Sequence, residues 1–332
     1  MKFRYIAGEW KRYALAATGG LLLAAAFPKI GLAGLGWIAP GILLASGLGA
    51  APWAAFRSGF VGGFAFFLAA LYWLLLIPVP VAPIVGWLAL SAFLSLYSGL
   101  WVWLVWRACP ARFDGASTTT ELLERFLETS WRQRFVWSVF AAVAWVAWEM
   151  TQARFLSGFP WTLLGASQYR ILPLIQISSV TGVYGVSFLL VWFSAAVLCA
   201  CVGLARRPGK RTWSAEIFAP ALVIVALIGW GMQRMKGLAL EGTRTLRVAL
   251  VQPSIPQTVI WNQAPEEKAR RFASLMALSE AALTKKPALL VWPEAALPDL
   301  LRWSTNEYSG KTLLQTVTGL ARQHGVWMVV GA

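Results

Sequence analysis

The stretch IVGWLALSAFLSLYSGLWVWLVW, residues 84–106, carries no charged side chain and is long enough to cross the hydrocarbon core of a bilayer as one α-helix. It lies in a chain of 332 residues, of which 58% are hydrophobic and 13% are charged. Soluble domains are about 45–50% apolar and about 25% charged, so the composition predicts a membrane protein and excludes an ordinary soluble, disordered or fibrous chain. The three cysteines exclude a disulfide framework.

On either side of this stretch, six more segments are apolar over a length near that of a membrane helix. They are residues 13–27, 33–50, 57–77, 135–153, 175–204 and 215–233. The first segment has an alternative, a cleaved signal peptide, because Lys and Arg precede it and residues 24–26 are all alanine. The next apolar run begins only a few residues later, which favours a hairpin of two retained helices. The sequence therefore predicts a polytopic α-helical membrane bundle of about seven spans over residues 1–234.

The Lys and Arg residues fall unequally on the two sides of the predicted spans. If the N-terminus is cytoplasmic, fourteen of them lie in cytoplasmic segments and three, Lys29, Arg154 and Arg170, lie in the opposite loops. This bias predicts a multi-pass protein of the bacterial inner membrane with a cytoplasmic N-terminus and, after seven crossings, a periplasmic C-terminal region. It also accounts for the net charge of +15 without a nucleic-acid partner.

The composition changes after residue 234, and residues 242–332 have the pattern of an α/β domain. Apolar strands are predicted at 246–252, 288–292 and 326–330, with helices at 265–285 and 308–324 between them. Continuous apolar strands that alternate with helices predict a sheet covered by helices. Three strands leave a sheet edge unpaired and a small core, so we expect this domain to be incomplete.

Glu294 is the main candidate for a catalytic residue in the α/β region. It follows Trp292 and Pro293 at the C-terminal end of a predicted buried strand, which is where open α/β sheets place their sites. A carboxylate that a cleft partly shields from water at this position can act as a general base. The local sequence leaves an alternative open, in which Glu294 caps residues 295–297 and has only a structural role.

The histidine and the cysteines, which are frequent catalytic or metal-binding residues, lie at positions that do not favour such a role. His324 is the single histidine and ends a charged helix before a glycine, so we predict a structural role for it. Cys109, Cys199 and Cys201 map to membrane or cytoplasmic-side positions, and no glycine-rich phosphate loop opens a helix. We therefore predict neither a metal ion nor a cofactor.

Glu149 lies in the fifth predicted span, near its outer end. An ionisable group inside a membrane costs about 2.5 kcal/mol or more unless it is paired or hydrated, so Glu149 is a functional candidate, with a side chain that reaches the interface as the alternative. Residues 157–161 and 165–169 follow it and are rich in aromatic and turn-forming residues. We interpret them as a re-entrant or interfacial segment that lines a lipid-facing cavity.

Taken in order along the predicted spans, several short motifs closely resemble those of the apolipoprotein N-acyltransferase family. Members of this family are inner-membrane enzymes whose extracytoplasmic domain belongs to the nitrilase (carbon–nitrogen hydrolase) superfamily, with an αββα architecture. The motifs are AFP at 26–28, SLYSGL at 95–100, GFPW at 158–161, SQ at 167–168, RVALVQ at 247–252, IPQ at 255–257, Trp261, and WPE at 292–294.

The resemblance implies transfer of an acyl chain from a phospholipid, typically phosphatidylethanolamine, to the N-terminal S-diacylglyceryl-cysteine of apolipoproteins. The family uses a Glu–Lys–Cys triad in which Glu is the general base, Cys forms the acyl thioester and Lys stabilises the oxyanion. Glu294 matches the base. Trp261 matches a tryptophan near the active site, although a tryptophan of the protein core is an alternative. The remaining candidates for substrate binding are Phe159, Pro160, Trp161, Gln168 and Glu149.

The triad's Lys and Cys, and a final membrane helix, have no match within residues 1–332. We therefore expect a C-terminally truncated member of the family that forms no acyl-enzyme by itself. Two alternatives remain open, a polytopic transporter and a non-catalytic membrane scaffold that binds lipids or lipoproteins. A transporter would favour several ionisable groups at mid-bilayer or repeated broken helices, and the sequence offers Glu149 alone and no convincing repeat.

Overall fold

The computed structural model describes residues 6–111, 119–206, 215–237, 245–256, 264–294, 296–297, 305–306 and 311–331. The chain divides into two compact units, Met1–Ala239 and Leu240–Ala332. The first unit is helical in its described part, and the second contains all the described strands.

The helices of the first unit follow one another with short connections. Within the described residues, four 3₁₀ turns lie between them, at Ala33–Trp37, Tyr72–Leu76, Phe155–Ser157 and Leu164–Gln168. The helices are α1 (Ile6–Ala25), α2 (Ala39–Ala45), α3 (Pro52–Ala70), α4 (Ala82–Arg107), α5 (Thr119–Glu128), α6 (Trp131–Gln152), α7 (Leu172–Ile175), α8 (Ser178–Thr181), α9 (Val183–Arg206) and α10 (Ala215–Gly237).

Within the described residues, four helices are long and apolar enough to cross a membrane by length and composition. They are Pro52–Ala70, Ala82–Arg107, Val183–Leu204 and Glu216–Lys236. These correspond to α3, α4, α9 and α10, and they coincide with four of the seven predicted spans.

The predicted second span, residues 33–50, is wrong as a single helix. The structure has a 3₁₀ turn there, then α2, which is only seven residues long. Ile38 leaves helical geometry between them, with a φ of −123°, and Pro40 starts a new helix in its first turn. The backbone N–H of Gly41 donates to Ser194 Oγ of α9 at 2.7 Å. In one continuous helix, a carbonyl oxygen of the preceding turn would accept from this N–H instead.

Small residues allow the first helices to pack closely. A Cβ placed on Gly20 of α1 would clash with the carbonyl oxygen of Gly62 on α3, so the close approach of these two helices needs glycine. A Cβ on Gly59 would lie 2.5 Å from the Ser98 carbonyl oxygen of α4. Close approach of backbones at small residues is the usual basis of helix packing in membranes, where burial of apolar surface contributes little.

Buried tryptophans connect the middle helices through their indole N–H groups. Trp101 on α4 donates to the carbonyl oxygen of Ala141 on α6, and Trp137 on α6 donates to that of Val105 on α4. Trp106 donates to the Leu44 carbonyl oxygen of α2 at 2.7 Å. These reciprocal bonds fix the alignment of α4 against α6 in a way that apolar contacts alone do not.

One buried ion pair joins α6 and α10 near their first turns. Arg134 Nε donates to Glu216 Oε1 at 2.5 Å, and the side chains are 14% and 1% exposed. Arg134 Nη1 also donates to the carbonyl oxygens of Leu127 and Thr129 at the end of α5. A single guanidinium therefore holds three helices together.

The second unit contains a three-stranded parallel sheet in the order β1–β2–β5. Its strands are β1 (Val248–Leu250), β2 (Leu289–Val291) and β5 (Trp327–Val329), and β3 (Thr305–Asn306) pairs with β4 (Lys311–Thr312) as a separate hairpin. The helices in its described residues are α11 (Pro265–Leu283) and α12 (Leu313–His324). Leu290 is fully buried at the centre of the apolar core.

The described helices, α11 and α12, cover one face of this sheet, as predicted. In the described part of the unit, Leu250, Trp327 and Val329 are 76%, 81% and 53% exposed on the other face. The strand order explains this difference. Right-handed connections that advance in one direction across a sheet place their helices on the same side, and a reversal of the order is needed to cover the second side.

Candidate functional site

The predicted site residues lie in two places that we describe separately. Five of them belong to the end of α6 and the loop that follows it in the first unit. Glu294 lies at the end of β2 in the second unit. Trp261 lies outside the described residues.

Glu149 is a buried anchor for the loop after α6. Its side chain is 6% exposed, and Oε1 accepts hydrogen bonds from the Leu164 backbone N–H at 2.7 Å and from Trp145 Nε1 at 2.9 Å. The next N–H, that of Gly165, donates to Ser187 Oγ on α9 at 2.8 Å. The carboxylate is thus directed into the protein rather than toward the interface, and it fixes the start of the 3₁₀ turn Leu164–Gln168.

Gln152 lies one helical turn after Glu149 and holds the first half of the loop. Its Nε2 donates to the carbonyl oxygens of Phe159 and Trp161 at 3.1 and 3.4 Å, and its own backbone carbonyl oxygen accepts from the Phe159 N–H at 2.8 Å. Gly158 has a φ of +77°, and a Cβ there would clash with the Ala153 carbonyl oxygen. Glycine is therefore required at the turn that presents the following aromatic residues.

Hydrogen bonds of Gln168 connect the end of the loop to the segment before α2. Gln168 is fully buried, accepts from Trp37 Nε1 at 3.0 Å, and donates through Nε2 to the Ala33 carbonyl oxygen at 2.9 Å and to Ser167 Oγ at 2.8 Å. This arrangement favours a positioning role, and the expected contact of Gln168 with substrate stays a prediction.

Phe159, Pro160 and Trp161 lie together where the loop reaches the surface. Trp161 is 52% exposed, and its ring centroid lies 5.4 Å from that of Trp73 and 6.2 Å from that of Phe159. Pro160 is exposed and Phe159 is half-buried. The structure therefore brings these three predicted site residues together. The loop that contains them is held by hydrogen bonds to Glu149 and Gln152, which lie on a buried face of α6.

Two cavities adjoin this loop. A small one of about 40 Å³ lies against Tyr97, Trp148, Glu149 and Gln152. A larger one of about 640 Å³, here called the Lys29 groove, has Trp161 on one wall. The groove is defined by six of its lining residues, Ala25, Lys29, Ala69, Tyr72, Trp73 and Trp161.

Glu294 is exposed three residues after the last residue of β2. The backbone before it is fixed, because the Trp292 N–H donates to the Val329 carbonyl oxygen and Trp292 Nε1 donates to Ser279 Oγ, both at 2.9 Å. A Cβ on Gly331 would lie 2.7 Å from Glu294 Cα, so the end of β5 passes directly beside it. The sequence predicts partial shielding of this carboxylate, and this stays a prediction because residues 295 and 298–304 around it lie outside the described residues. The alternative, a cap of residues 295–297, stays open because residue 295 lies outside the described residues.

The remaining candidates have no catalytic partners in the described part of the chain. His324 ends α12 beside Gly325, which has a φ of +59°, as a helix-terminal cation would. Burial raises the pKa of the Cys109 thiol to about 11, which leaves little thiolate at neutral pH. Among the described residues, no group of three or more His, Cys, Asp or Glu side chains is close enough to hold a metal ion.

Sequence reasoning missed Gln152, Ser187, Lys29 and Trp73 as parts of this site. Gln152 had a usable signal, because it lies three residues after Glu149 and thus on the same helix face. Ser187, Lys29 and Trp73 reach the loop from other elements, and no local pattern marks them.

A multi-pass membrane protein with an aromatic loop anchored in its helical bundle is the class that these features define. The sequence profile of the apolipoprotein N-acyltransferase N-terminal domain matches residues 19–196. The chain belongs to the apolipoprotein N-acyltransferase family.

Individual relatives agree with this assignment over nearly the whole chain. The apolipoprotein N-acyltransferase of Geobacter metallireducens is 33% identical over 328 residues, which are 96% of this chain and 57% of that protein. Those of Coxiella burnetii and Methylococcus capsulatus are 25% and 29% identical over 96% and 97% of this chain, and the matches cover 59% and 57% of the relatives. The chain thus spans a little more than half the length of these relatives.

Proposed function

We propose that this chain acts in the phospholipid-dependent N-acylation of the N-terminal S-diacylglyceryl-cysteine of apolipoproteins. The observation that carries the proposal is the family match over residues 19–196, together with relatives that bear the name apolipoprotein N-acyltransferase. These names do not favour the transporter or the scaffold. The donor is a phospholipid of the surrounding bilayer, and the acceptor is a diacylglyceryl-apolipoprotein.

The proposed topology is a seven-span bundle, in which the second span, residues 33–50, is broken at Ile38, with a cytoplasmic N-terminus and a periplasmic region after residue 234. It is supported by four apolar helices of sufficient length and by the excess of Lys and Arg on one side of the predicted spans. The Arg134–Glu216 pair fits this arrangement, because it puts the first turns of α6 and α10 at the same end of the bundle.

We propose a nitrilase-like domain over residues 242–332. The parallel order β1–β2–β5, with both helices on one face, supports it. In an αββα sandwich, two sheets pack through apolar inner faces. The uncovered face that carries Leu250, Trp327 and Val329 has the composition of such an inner face.

Glu294 is the proposed general base of this site. In the family mechanism it removes the proton from the nucleophilic thiol, and the thiolate attacks the ester carbonyl of the phospholipid. The lysophospholipid leaves, and a thioester remains. The α-amino group of the acceptor then attacks the thioester, and the N-acyl product and the free thiol are formed. The thiol and the ammonium group of the family's triad are not assigned to residues of this chain.

The bundle contributes the lipid-facing part of the proposed site. Phe159, Pro160 and Trp161 are proposed to contact lipid acyl chains, with Glu149 and Gln168 supporting the loop that carries them. Trp261 stays a proposed substrate-binding residue on the resemblance alone.

The test is an acyl-transfer assay on the whole product of the gene that encodes this chain. The purified protein is incubated with phosphatidylethanolamine and a diacylglyceryl-cysteine peptide, and the N-acyl peptide is measured by mass spectrometry. We expect product with wild type and with Glu280→Gln, an exposed glutamate of α11, and a loss of at least about a hundredfold with Glu294→Gln. Failure of wild type to form product would contradict the proposed activity, and normal turnover by Glu294→Gln would contradict its role as the base.

A further inference from the structure

In the Lys29 groove, small apolar residues, here called its apolar floor, lie together with one cation. Ala25 and Ala69 line it without filling it, and Tyr72, Trp73 and Trp161 form an aromatic wall. Its volume of about 640 Å³ falls within the range of about 300–1,000 Å³ that is usual for ligand cavities. No carboxylate lies among the residues that line it, so the charge of the groove is positive.

Lys29 is held in position by an aromatic ring and not by an ion pair. Its Nζ lies 4.7 Å from the centroid of the Tyr72 ring, and within the described chain no Asp or Glu side chain makes a salt bridge with it. Lys29 is exposed, so the ammonium group is accessible at the mouth of the groove. A lysine placed in this way offers a point charge to an anionic oxygen.

The aromatic wall indicates the depth at which the groove meets the lipid. Trp and Tyr rings concentrate at the level of the lipid headgroups, where one edge is apolar and the other is wet. Three of the apolar residues that line the groove are themselves exposed, Leu21 by 53%, Ile30 by 66% and Trp161 by 52%. The exposed apolar residues suit contact with acyl chains, and a groove whose aromatic residues lie at the headgroup level would bring a lipid phosphate within reach of Lys29.

We propose that the Lys29 groove binds one glycerophospholipid of the bilayer, with an acyl chain along Ala25 and Ala69 and the phosphate at Lys29. The proposal rests on the proposed function, since it assigns a binding place to the acyl donor. Charge complementarity decides the occupant, because an uncharged diacylglycerol leaves the ammonium unpaired and a free phosphate leaves the apolar floor empty.

The position of the groove links it to the anchored loop. Trp161 belongs to both, and the backbone at Trp161 and Phe159 is fixed by Gln152. A lipid in contact with Trp161 therefore meets a residue whose backbone carbonyl oxygen is held by Gln152. This arrangement orients the donor rather than only concentrating it.

Photolabelling tests the proposal by the position of the label in the chain and not by acyl transfer. The whole gene product in nanodiscs is exposed to phosphatidylethanolamine that carries a diazirine on one acyl chain, and labelled peptides are mapped after irradiation. We expect label on residues 21–30 and 69–73. Lys29→Ala should lower it by about fivefold, equivalent to about 1 kcal/mol, while Lys29→Arg and Arg170→Ala should retain it. Arg170 is a matched control because it is an exposed cation outside the groove.

A second pair of variants tests the apolar floor. Ala69→Phe should displace the acyl chain and lower the labelling even with Lys29 intact, whereas Ala89→Phe, on an exposed face of α4, should not. Label spread evenly over all apolar helices, or equal labelling of Ala69→Phe and Ala89→Phe, would overturn the proposal.

Competition distinguishes the chemistry of the occupant. Unlabelled phosphatidylethanolamine should compete, and neither diacylglycerol nor inorganic phosphate should do so at the same concentration. Competition by diacylglycerol would overturn the role of Lys29, and competition by inorganic phosphate would overturn the lipid as occupant. All labelling is repeated with Glu294→Gln, so a failed acyl transfer and an empty groove are separate results.

Discussion

Loss of Arg134 should destabilise the helical unit strongly, because the carboxylate of Glu216 would stay buried without its counter-charge. Glu216 is 1% exposed, its Oε1 receives the Arg134 Nε donor at 2.5 Å, and within the described residues its Oε2 has no hydrogen-bond partner. Removal of one member of a buried pair typically costs about 3–5 kcal/mol. For a unit of about this size, this corresponds to a fall in Tm of roughly 6–20 °C.

The assay is thermal unfolding of the purified protein in one detergent, followed by intrinsic tryptophan fluorescence. Arg134→Met is compared with Arg132→Met, since Arg132 is exposed and lies over the Trp131 ring instead of facing an acid. The double variant Arg134→Met, Glu216→Leu should be more stable than Arg134→Met alone, because it leaves no buried charge behind. A Tm for Arg134→Met within about 2 °C of the Arg132→Met value would show that the buried pair contributes little.

Three more expectations concern the orientation of the bundle, the Cys109 thiol and the Gln168 network. A reporter active only in the periplasm should work when fused after Arg234 and be silent after Lys210; the reverse pattern would contradict the proposed orientation. In a variant without the other cysteines, alkylation of Cys109 should speed up about tenfold per pH unit toward its pKa of about 11, and a plateau near pH 9 would contradict its burial. Gln168→Leu leaves the Trp37 indole N–H and the Ala33 carbonyl oxygen without their partner, so it should cost about 1–3 kcal/mol in thermal unfolding. An unchanged Tm for Gln168→Leu would show that this buried network contributes nothing.

The amino-acid sequence is sufficient to predict a helix that hydropathy alone defines. It is insufficient to predict where tertiary contacts interrupt a helix. The predicted span 84–106 agrees with the bounds of α4 to within two residues at either end. An uncharged apolar run of this length is typical of a membrane helix and of few other structures. Residues 33–50 are equally apolar, yet the helix breaks at Ile38, and Ser194 of α9 supplies a hydrogen bond there. A window average cannot register that bond, since its partner lies far away in the sequence.

The candidate site shows the same division. Glu149 could be singled out because a carboxylate in an apolar span is expensive, but its function as an anchor depends on the Leu164 N–H, which only the fold brings near. Glu294 could be placed at the end of a strand from the pattern alone. Its neighbours could not be foreseen, because Gly331, which the fold brings beside the Glu294 backbone, lies far away in the sequence.

The proposed role of Glu294, activation of a thiol of the whole protein toward phospholipid, can be measured in a single labelling experiment. The whole gene product is incubated with acyl-labelled phosphatidylethanolamine and no acceptor, and label bound to protein is measured before and after hydroxylamine. We expect hydroxylamine-sensitive label on wild type and on Glu280→Gln, and almost none on Glu294→Gln, because glutamine cannot accept the thiol proton. Equal labelling of Glu294→Gln and wild type, or label that resists hydroxylamine, would contradict this role.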